Sequence, residues 1–164
     1  MKYLTLIRHS KSLWEPQVAD LERPLKKRGL SDAKLVSAEM LKPVYYFTPD
    51  LILVSPALRA KLTAQVFVET LNWSKVDSFI EPKLYDFSGE NTFNVIRSCS
   101  DSVENLVLFG HNPTFSLIAS QMGSEFITNL PTTGMVLLQF NIDSWNEIDY
   151  GKTIKTIFPK DLKI

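Results

Sequence analysis

The sequence predicts an α/β fold in three layers, α/β/α, with helices on both faces of a mostly parallel central sheet. Short runs rich in leucine and β-branched residues occupy residues 3–7, 51–54, 76–80 and 105–109. Longer segments with helical periodicity separate these runs. Strands buried on both faces read as short apolar runs, and helices alternating with them supply the crossover connections of a parallel sheet. The alternation therefore indicates this class.

The first helix is predicted over residues 31–41, after the first strand. Ala33, Val36 and Met40 recur at three- and four-residue intervals and form one apolar face. Ser31 can accept a hydrogen bond from the first turn and is the predicted N-cap. We interpret this helix as structural.

Two further helices are predicted to begin directly at strand ends. One covers residues 56–71, where Ser55 can act as N-cap and Pro56 occupies the first turn, in which its missing N–H costs nothing. Asn112 and Pro113 repeat this pattern after the fourth strand. Each of these helices therefore points its N-terminus at the same edge of the sheet.

The C-terminal part of the chain is predicted to finish the sheet with antiparallel strands. Residues 135–140 and 145–150 are the two candidate strands, and residues 141–144 connect them. The connection contains no Asn-Gly or Asp-Gly pair, so the sequence does not specify the register of this hairpin.

The composition excludes several classes of function. A chain of 164 residues can bury roughly 70% of its unfolded surface as one unit, and we expect residues 1–164 to form a single domain. Eighteen basic residues balance eighteen acidic ones, which disfavours nucleic-acid and membrane partners. The N-terminus has no signal-peptide pattern, and no apolar run reaches about 18 residues. Cys99 is the only cysteine, so no internal disulfide forms, and we expect a cytoplasmic protein.

The two histidines stand at equivalent points of two predicted strands. His9 directly follows the first strand beside Arg8, and His111 follows the fourth. Arg59 lies in the first turn of the helix after the second strand, where a cation opposes the helix dipole unless an anion is nearby. Ligands of open α/β sheets bind beyond the carboxyl ends of the strands. If these strands are neighbours, the four side chains line one pocket for a phosphoryl group.

The chemistry that such a pocket supports is phosphoryl transfer without a metal. A neutral imidazole can attack phosphorus and form a phosphohistidine that water then hydrolyses. The two arginines and a second, protonated imidazole would offset the charge on the phosphoryl oxygens. The acidic residues show no ligand spacing, so we predict no metal site and no cofactor.

Four short motifs follow one another along the chain. They are Arg8-His9-Ser10; Asp20 with Arg23-Pro24-Leu25 and Arg28-Gly29; Ser55-Pro56-Ala57-Leu58-Arg59-Ala60 with Thr63-Ala64; and Gly110-His111-Asn112-Pro113. In this order they resemble the motifs of the histidine phosphatase superfamily, which has the phosphoglycerate mutase-like fold. The resemblance is strongest to its small bacterial phosphohistidine phosphatases of the SixA type.

The resemblance implies the role of each pocket residue. His9 is expected to be the phosphorylated nucleophile, and His111 to be the second catalytic histidine. Arg8 and Arg59 are expected to bind the phosphoryl oxygens, together with His111.

The chain departs from the family pattern at two neighbouring positions, and one expected residue has no clear match. Ser10 replaces the motif glycine, which would crowd the backbone or add a hydroxyl donor to the pocket. Lys11 stands where the mutases of the family carry glutamate, which argues against a mutase. Asp86 and Glu90 are the candidates for a general acid, but we interpret them as solvated loop and helix-cap charges. The SixA-type members resembled here generally lack the acid.

Three functions remain open at this point. The leading hypothesis is a phosphatase acting on phosphohistidine of signalling proteins, because a phosphoramidate can be protonated on its leaving nitrogen. The second is a phosphatase for a small phosphomonoester such as a sugar or nucleotide phosphate. The third is a non-catalytic sensor of phosphorylated ligands. The partner is accordingly a phosphorylated protein or a small phosphorylated molecule.

Overall fold

The central sheet of the protein has six strands in the order β3-β2-β4-β1-β5-β6. The structure is a computed structural model that describes residues 1–163. The strands are β1 Lys2–Arg8, β2 Leu51–Val54, β3 Asp77–Ile80, β4 Asn105–Gly110, β5 Met135–Phe140 and β6 Lys152–Ile157. The helices are α1 Lys27–Met40, α2 Leu58–Thr70, α3 Glu90–Arg97, α4 Thr114–Met122 and α5 Pro159–Leu162. Three short 3-10 helices span Asp20–Glu22, Pro82–Leu84 and Trp145–Glu147.

The first four strands of the chain are parallel, and the last two are antiparallel additions. Parallel ladders join β1 to β4, β4 to β2, and β2 to β3, while β5 runs antiparallel to β1 and β6 antiparallel to β5. The predicted α/β/α architecture with a mostly parallel sheet is therefore confirmed.

Successive side chains of the strands enter two separate apolar cores. On β4, Leu106 and Leu108 pack with residues of α3 and α4, whereas Val107 and Phe109 pack with residues of α1 and α2. All four are fully buried. This period of two, with both faces apolar, is the reason why the strand reads as one continuous apolar run.

The first predicted helix begins earlier than its apolar pattern indicates. Helix α1 starts at Lys27, so Ser31 lies inside the helix and is not its N-cap, and no side chain caps the start. Gly29 lies in the first turn of this early start. A Cβ at this position would lie only 2.2 Å from the carbonyl oxygen of Lys11, so this turn can pack there only with glycine. The first turn of α1 thus packs directly against the loop that follows β1.

The two predicted helices at strand ends are present with small shifts in their starts. Helix α2 begins at Leu58, two residues after the predicted start, and no side chain caps it by hydrogen bonding to its first turn. Helix α4 begins at Thr114, and Asn112 Oδ1 accepts a hydrogen bond from the backbone N–H of Ser116 at 3.2 Å. The N-cap of this helix is Pro113, one residue after the predicted cap, but the side chain of Asn112 still binds the first turn.

The prediction for the C-terminal strands is half correct. Residues 135–140 form β5, but residues 145–150 do not form a strand, and β6 follows at Lys152–Ile157. Trp145 is fully buried and donates its indole N–H to the carbonyl of Val103 at 2.8 Å. This tertiary contact lies at the start of a 3-10 helix over Trp145–Glu147, and Ser144 is the cap of that helix. Within the residues that the structure describes, no helix has the length and apolarity needed to cross a membrane.

Candidate active site

The predicted pocket residues meet beyond the carboxyl ends of three adjacent strands. Arg8 pairs with Gly110 at the ends of β1 and β4, and the next residue, His9, donates its backbone N–H to the Gly110 carbonyl at 3.0 Å. The rings of His9 and His111 lie 5.3 Å apart between centroids. Together with Arg8 and Arg59 they line a cavity of about 330 Å³. The strand order thus brings all four side chains together.

The imidazole of His9 is buried and held in one orientation. His9 is only 8% exposed, and its Nδ1 lies 2.8 Å from the carbonyl oxygen of Ser10. Because a carbonyl oxygen can only accept, Nδ1 carries the proton, and the lone pair of the neutral ring is on Nε2. Burial, aided by the charges of Arg59 and Arg8, lowers the pKa of His9 to about 4. The ring is therefore neutral and nucleophilic at neutral pH.

Ser10, which replaces the motif glycine, joins the loop after β1 to helix α2 and to the loop before β5. Its backbone N–H donates to Thr63 Oγ1 on α2 at 2.9 Å, and its side-chain oxygen accepts from Thr133 Oγ1 at 2.7 Å. The backbone N–H of Thr133 is in turn shared by the carbonyls of Arg8 and His9. Ser10 is fully buried and does not line the cavity. Its hydroxyl therefore anchors the loop and does not extend the pocket.

Arg59 enters the cavity from the first turn of α2 and is held there by Asp20. The guanidinium donates to the backbone carbonyl of Asp20 at 2.7 Å and to Asp20 Oδ2 at 3.1 Å. Arg23 donates to Asp20 Oδ1 at 2.9 Å, and the hydroxyl of Tyr85 also donates to this carboxylate. Although burial opposes ionisation, these hydrogen bonds from Tyr85, Arg23 and Arg59 hold the pKa of Asp20 at about 2.

Asp20, Arg23 and Tyr85 are site residues to which the sequence assigned no role. Asp20 and Arg23 line the same cavity as His9, with Trp14, which is 74% exposed and stacks on the Arg23 guanidinium. The signal was available for Asp20 and Arg23, because both belong to one of the four motifs. Tyr85 stands in no motif and reaches Asp20 across 65 positions of the chain, a contact that only the tertiary structure shows.

His111 is more deeply buried than His9, and it differs from its predicted charge state. The residue is 1% exposed, and its ring packs against Phe87 and Tyr85 at 5.1 and 5.5 Å between centroids. Burial and the proximity of His9 and Arg59 lower the pKa of His111 to about 3. The second imidazole is therefore neutral in the ligand-free site, whereas the sequence argument expected it to be protonated. Low dielectric and neighbouring arginines disfavour a third positive charge.

Three buried nitrogens in the pocket have no hydrogen-bond partner among residues 1–163. They are Nε of Arg8, Nε of Arg59 and Nδ1 of His111. An unpaired buried polar group costs roughly 1–3 kcal/mol, so most such groups in proteins have partners. All three belong to side chains that line the same cavity as His9. The pocket is thus arranged to be completed by an acceptor-rich ligand.

Neither candidate general acid faces the cavity. The buried carboxylate of Asp86 accepts hydrogen bonds from the backbone N–H groups of Ser88, Gly89 and Thr92, at and around the start of α3. Although burial opposes ionisation, the bonds from Thr92 and Ser88 lower its pKa. Glu90 lies exposed in the first turn of α3, beside a different groove. The interpretation as a solvated charge therefore holds for Glu90 but is wrong for Asp86, which is buried and binds the backbone at the start of α3.

Replacing Asp86 with alanine is expected to destabilise the protein by about 1–3 kcal/mol and to leave the turnover of the folded protein unchanged, because the carboxylate ties the start of α3. Urea unfolding and phosphate release would be measured on the same samples. Since folding lowers the pKa of this carboxyl, its contribution is present above the unfolded pKa and is lost as the pH falls through the folded one. Asp77→Ala, at an exposed position of β3, is the matched control. A loss of turnover without a loss of stability would place Asp86 in the chemistry.

The arrangement of the two histidines and two arginines indicates the class of protein. A buried neutral imidazole, a second histidine and two arginines at the strand ends of an α/β/α sheet are an arrangement suited to phosphoryl transfer. In residues 1–163, no cluster of three or more histidine, cysteine, aspartate and glutamate side chains has the geometry to hold a metal ion.

Comparison with known proteins identifies the family. A family model of the histidine phosphatase superfamily (branch 1) matches residues 4–117. The chain belongs to this superfamily and is a phosphatase. It is 27% identical over 158 residues to an uncharacterised protein of Mycobacterium tuberculosis, covering 88% of this chain and 93% of that protein.

Solved structures with the same fold include two of the SixA type. A protein assigned as the phosphohistidine phosphatase SixA of Agrobacterium tumefaciens has a TM-score of 0.80 and 25% identity, covering 96% of this chain and 98% of that one. The protein histidine phosphatase SixA in complex with tungstate has a TM-score of 0.80 and 19% identity, with 98% and 99% covered. A mycobacterial glucosyl-3-phosphoglycerate phosphatase has a TM-score of 0.65 and 12% identity, with 93% and 97% covered. The phosphoglycerate mutase-like fold and the predicted resemblance to SixA-type phosphatases are thereby confirmed.

Proposed function

We propose that this phosphatase removes the phosphoryl group from phosphohistidine of proteins, without a metal, through a phosphorylated His9. The observation that carries the proposal is the cavity lined by His9, whose Nε2 carries the lone pair, and by Arg8, Arg59 and His111, each of which has a buried nitrogen without a hydrogen-bond partner among residues 1–163. A phosphoryl group has three equatorial oxygens, and these side chains offer positive charge and N–H donors for them.

The first step transfers the phosphoryl group between two imidazoles. The lone pair on Nε2 of His9 forms a bond to phosphorus while the bond from phosphorus to the substrate nitrogen breaks, and that nitrogen keeps the electron pair. A substrate phosphoimidazole protonated on its other nitrogen leaves as a neutral imidazole, so the enzyme need not supply a proton. The Ser10 carbonyl, which accepts from Nδ1, stabilises the positive charge that develops on His9.

The second step hydrolyses the phosphorylated enzyme. A water oxygen forms the new bond to phosphorus, the bond from phosphorus to Nε2 breaks, and the electron pair returns to the ring. The proton that the water loses goes to solvent or stays on the phosphate product. Arg8 and Arg59 offset the charge of the phosphoryl oxygens in both steps.

The acid–base properties of the cavity favour a nitrogen leaving group over an alkoxide. Asp20 is the only carboxylate that lines the cavity in the described part of the chain. Its pKa is about 2 and its oxygens accept from Arg59, Arg23 and Tyr85, so it holds no proton to donate at neutral pH. An unactivated alkoxide requires such a proton, whereas a protonated phosphoramidate does not.

A small phosphomonoester is the second candidate substrate. Its support is the size of the cavity, since about 330 Å³ lies at the lower end of the volumes of small-molecule sites. The non-catalytic sensor has no comparable support, because a sensor has no use for the oriented lone pair on His9.

The test compares two substrates in excess EDTA. We expect phosphate release from a phosphohistidine-bearing protein domain with a kcat/KM at least about 100-fold above that for unactivated alkyl phosphates, since general-acid assistance contributes about 10²–10⁴-fold where it is needed. A higher kcat/KM for the alkyl phosphates would assign the enzyme to small molecules. Binding of the phosphorylated domain without phosphate release would assign it to the sensor class.

A further inference from the structure

Ser55 makes a buried contact with His111, and this contact has no part in the two proposed reaction steps. It follows β2 directly, is fully buried, and places its hydroxyl oxygen 2.7 Å from Nε2 of His111. The same oxygen accepts the backbone N–H of Ala57 at 3.3 Å. The contact joins the loops at the ends of β2 and β4, on the side of the His111 ring away from Nδ1.

The partners of the hydroxyl determine which atom donates. A serine hydroxyl has one proton to donate and two lone pairs with which to accept. The Ala57 N–H occupies one of the lone pairs, and within residues 1–163 Nε2 of His111 is the only acceptor bonded to the hydroxyl. Buried hydroxyl protons are normally satisfied. Ser55 therefore donates, and Nε2 of His111 accepts.

The direction of this hydrogen bond fixes the tautomer of the ring. A neutral imidazole whose Nε2 accepts carries its proton on Nδ1. We propose that Ser55 is a positioning residue that holds His111 in the Nδ1–H tautomer and so presents a neutral N–H donor to a phosphoryl group on His9. Nδ1 is buried without a protein partner, and the ring lines the cavity beside His9. The role of this donor rests on the proposed function, but the tautomer itself does not.

The opposite tautomer would conflict with the site twice. With the proton on Nε2, the Ser55 hydroxyl proton would have no acceptor, and Nδ1 would present a lone pair to the phosphoryl oxygens. Protonation of the ring would also supply a donor, but burial and the charges of His9, Arg59 and Arg8 disfavour it, and the carboxylate of Asp20 opposes them only in part. A neutral donor adds no further positive charge to a cavity that Arg8, Arg23 and Arg59 already line.

Nitrogen-15 NMR of histidine-labelled protein tests the tautomer without any turnover. The chain contains two histidines, so the spectrum has two rings, and His9→Asn assigns them. At neutral pH we expect both rings to show a protonated Nδ1 and an unprotonated Nε2. In Ser55→Ala, the His111 nitrogens should move towards averaged shifts of two exchanging tautomers, while His9 stays unchanged. A wild-type His111 with its proton on Nε2, or protonated on both nitrogens, would overturn the inference.

Kinetics supply the matched measurement of function. Ser55→Ala should lower kcat about tenfold or more, because removal of one donor aimed at a transition-state oxyanion costs up to about 10²–10³-fold. Ser55→Cys, which keeps a weak donor, should recover part of the loss. Ser37→Ala is the control, since it removes one fully buried hydroxyl, bonded to Ala33 within α1, away from the cavity. Equal effects of Ser55→Ala and Ser37→Ala on kcat and on the His111 spectrum would contradict the proposal.

The wild-type spectrum reports the tautomer of His111 whether or not the protein hydrolyses a substrate. If Ser55→Ala fails to fold, the wild-type and Ser55→Cys spectra still report the tautomer. If the tautomer is as expected but no substrate is hydrolysed, the proposed function fails and the inference about Ser55 stands.

Discussion

Replacing His9 with asparagine is expected to lower phosphate release by more than about 10³-fold, the scale on which loss of a nucleophile acts. Asparagine can still donate an N–H towards the Ser10 carbonyl, but it has no nucleophilic nitrogen to attack phosphorus. The loss should therefore appear in kcat, and inorganic phosphate should still inhibit with a similar constant, because Arg8, Arg59 and His111 remain. Initial rates with a phosphohistidine-bearing domain measure it.

The control for His9→Asn is a measurement of whether the variant is folded. Circular dichroism and the midpoint of thermal unfolding should match the wild type to within a few degrees, since His9 is one of many buried side chains and its polar contact is retained. Wild-type turnover by the folded His9→Asn protein would remove the nucleophile from the proposal.

Replacing Arg59 with alanine is expected to lower kcat/KM by about 10²–10³-fold and to weaken inhibition by inorganic phosphate. The side chain is 3% exposed, and its charge lies where the phosphoryl oxygens are proposed to bind. The change would also remove two donors from Asp20 and raise the pKa of that carboxyl. Arg59→Lys should recover only part of the activity, because an ammonium group restores the charge but not the planar fork of donors.

The matched control for Arg59 is Arg97→Ala. Arg97 is an exposed arginine at the end of α3 that packs over Phe93. This variant should keep the wild-type kcat/KM and the wild-type phosphate inhibition. Equal kcat/KM values for Arg59→Ala and Arg97→Ala would exclude Arg59 as a phosphoryl ligand.

Local sequence patterns are sufficient to predict the parallel strands and the edge of the sheet at which the pocket lies. The parallel strands are short apolar runs, and the residues after β1, β2 and β4 meet because these strands are neighbours. The order of the strands depends on long-range contacts. The sequence therefore predicts that His9 and His111 converge only if their strands are adjacent. The ladder between β1 and β4 meets that condition.

Errors arose where tertiary contacts override local preference. Trp145, Ile148 and Tyr150 suit a strand, yet the buried Trp145 bonds to Val103, and Trp145–Glu147 form a 3-10 helix. Ser31 suits an N-cap, yet close packing at Gly29 lets α1 begin at Lys27.

The electrostatics of the pocket were also beyond local reasoning. The four predicted residues are cationic or can become so by protonation. Asp20 belongs to one of the four motifs, but the sequence does not show that its carboxylate binds Arg59 in the pocket. Burial depth could not be read from the motifs either, which is why a protonated His111 was expected where the structure indicates a neutral ring.

The central claim is that the reaction passes through phosphorylated His9, and trapping that species tests it most directly. The enzyme would be mixed with a 32P-labelled phosphohistidine domain, quenched in alkali, in which phosphohistidine survives, and mapped by mass spectrometry of its peptides. We expect one phosphoryl group on the peptide that contains His9, formed and lost at rates compatible with turnover, and none in His9→Asn. Turnover by the wild type with label on another residue, or with no labelled enzyme at any time, would contradict the account.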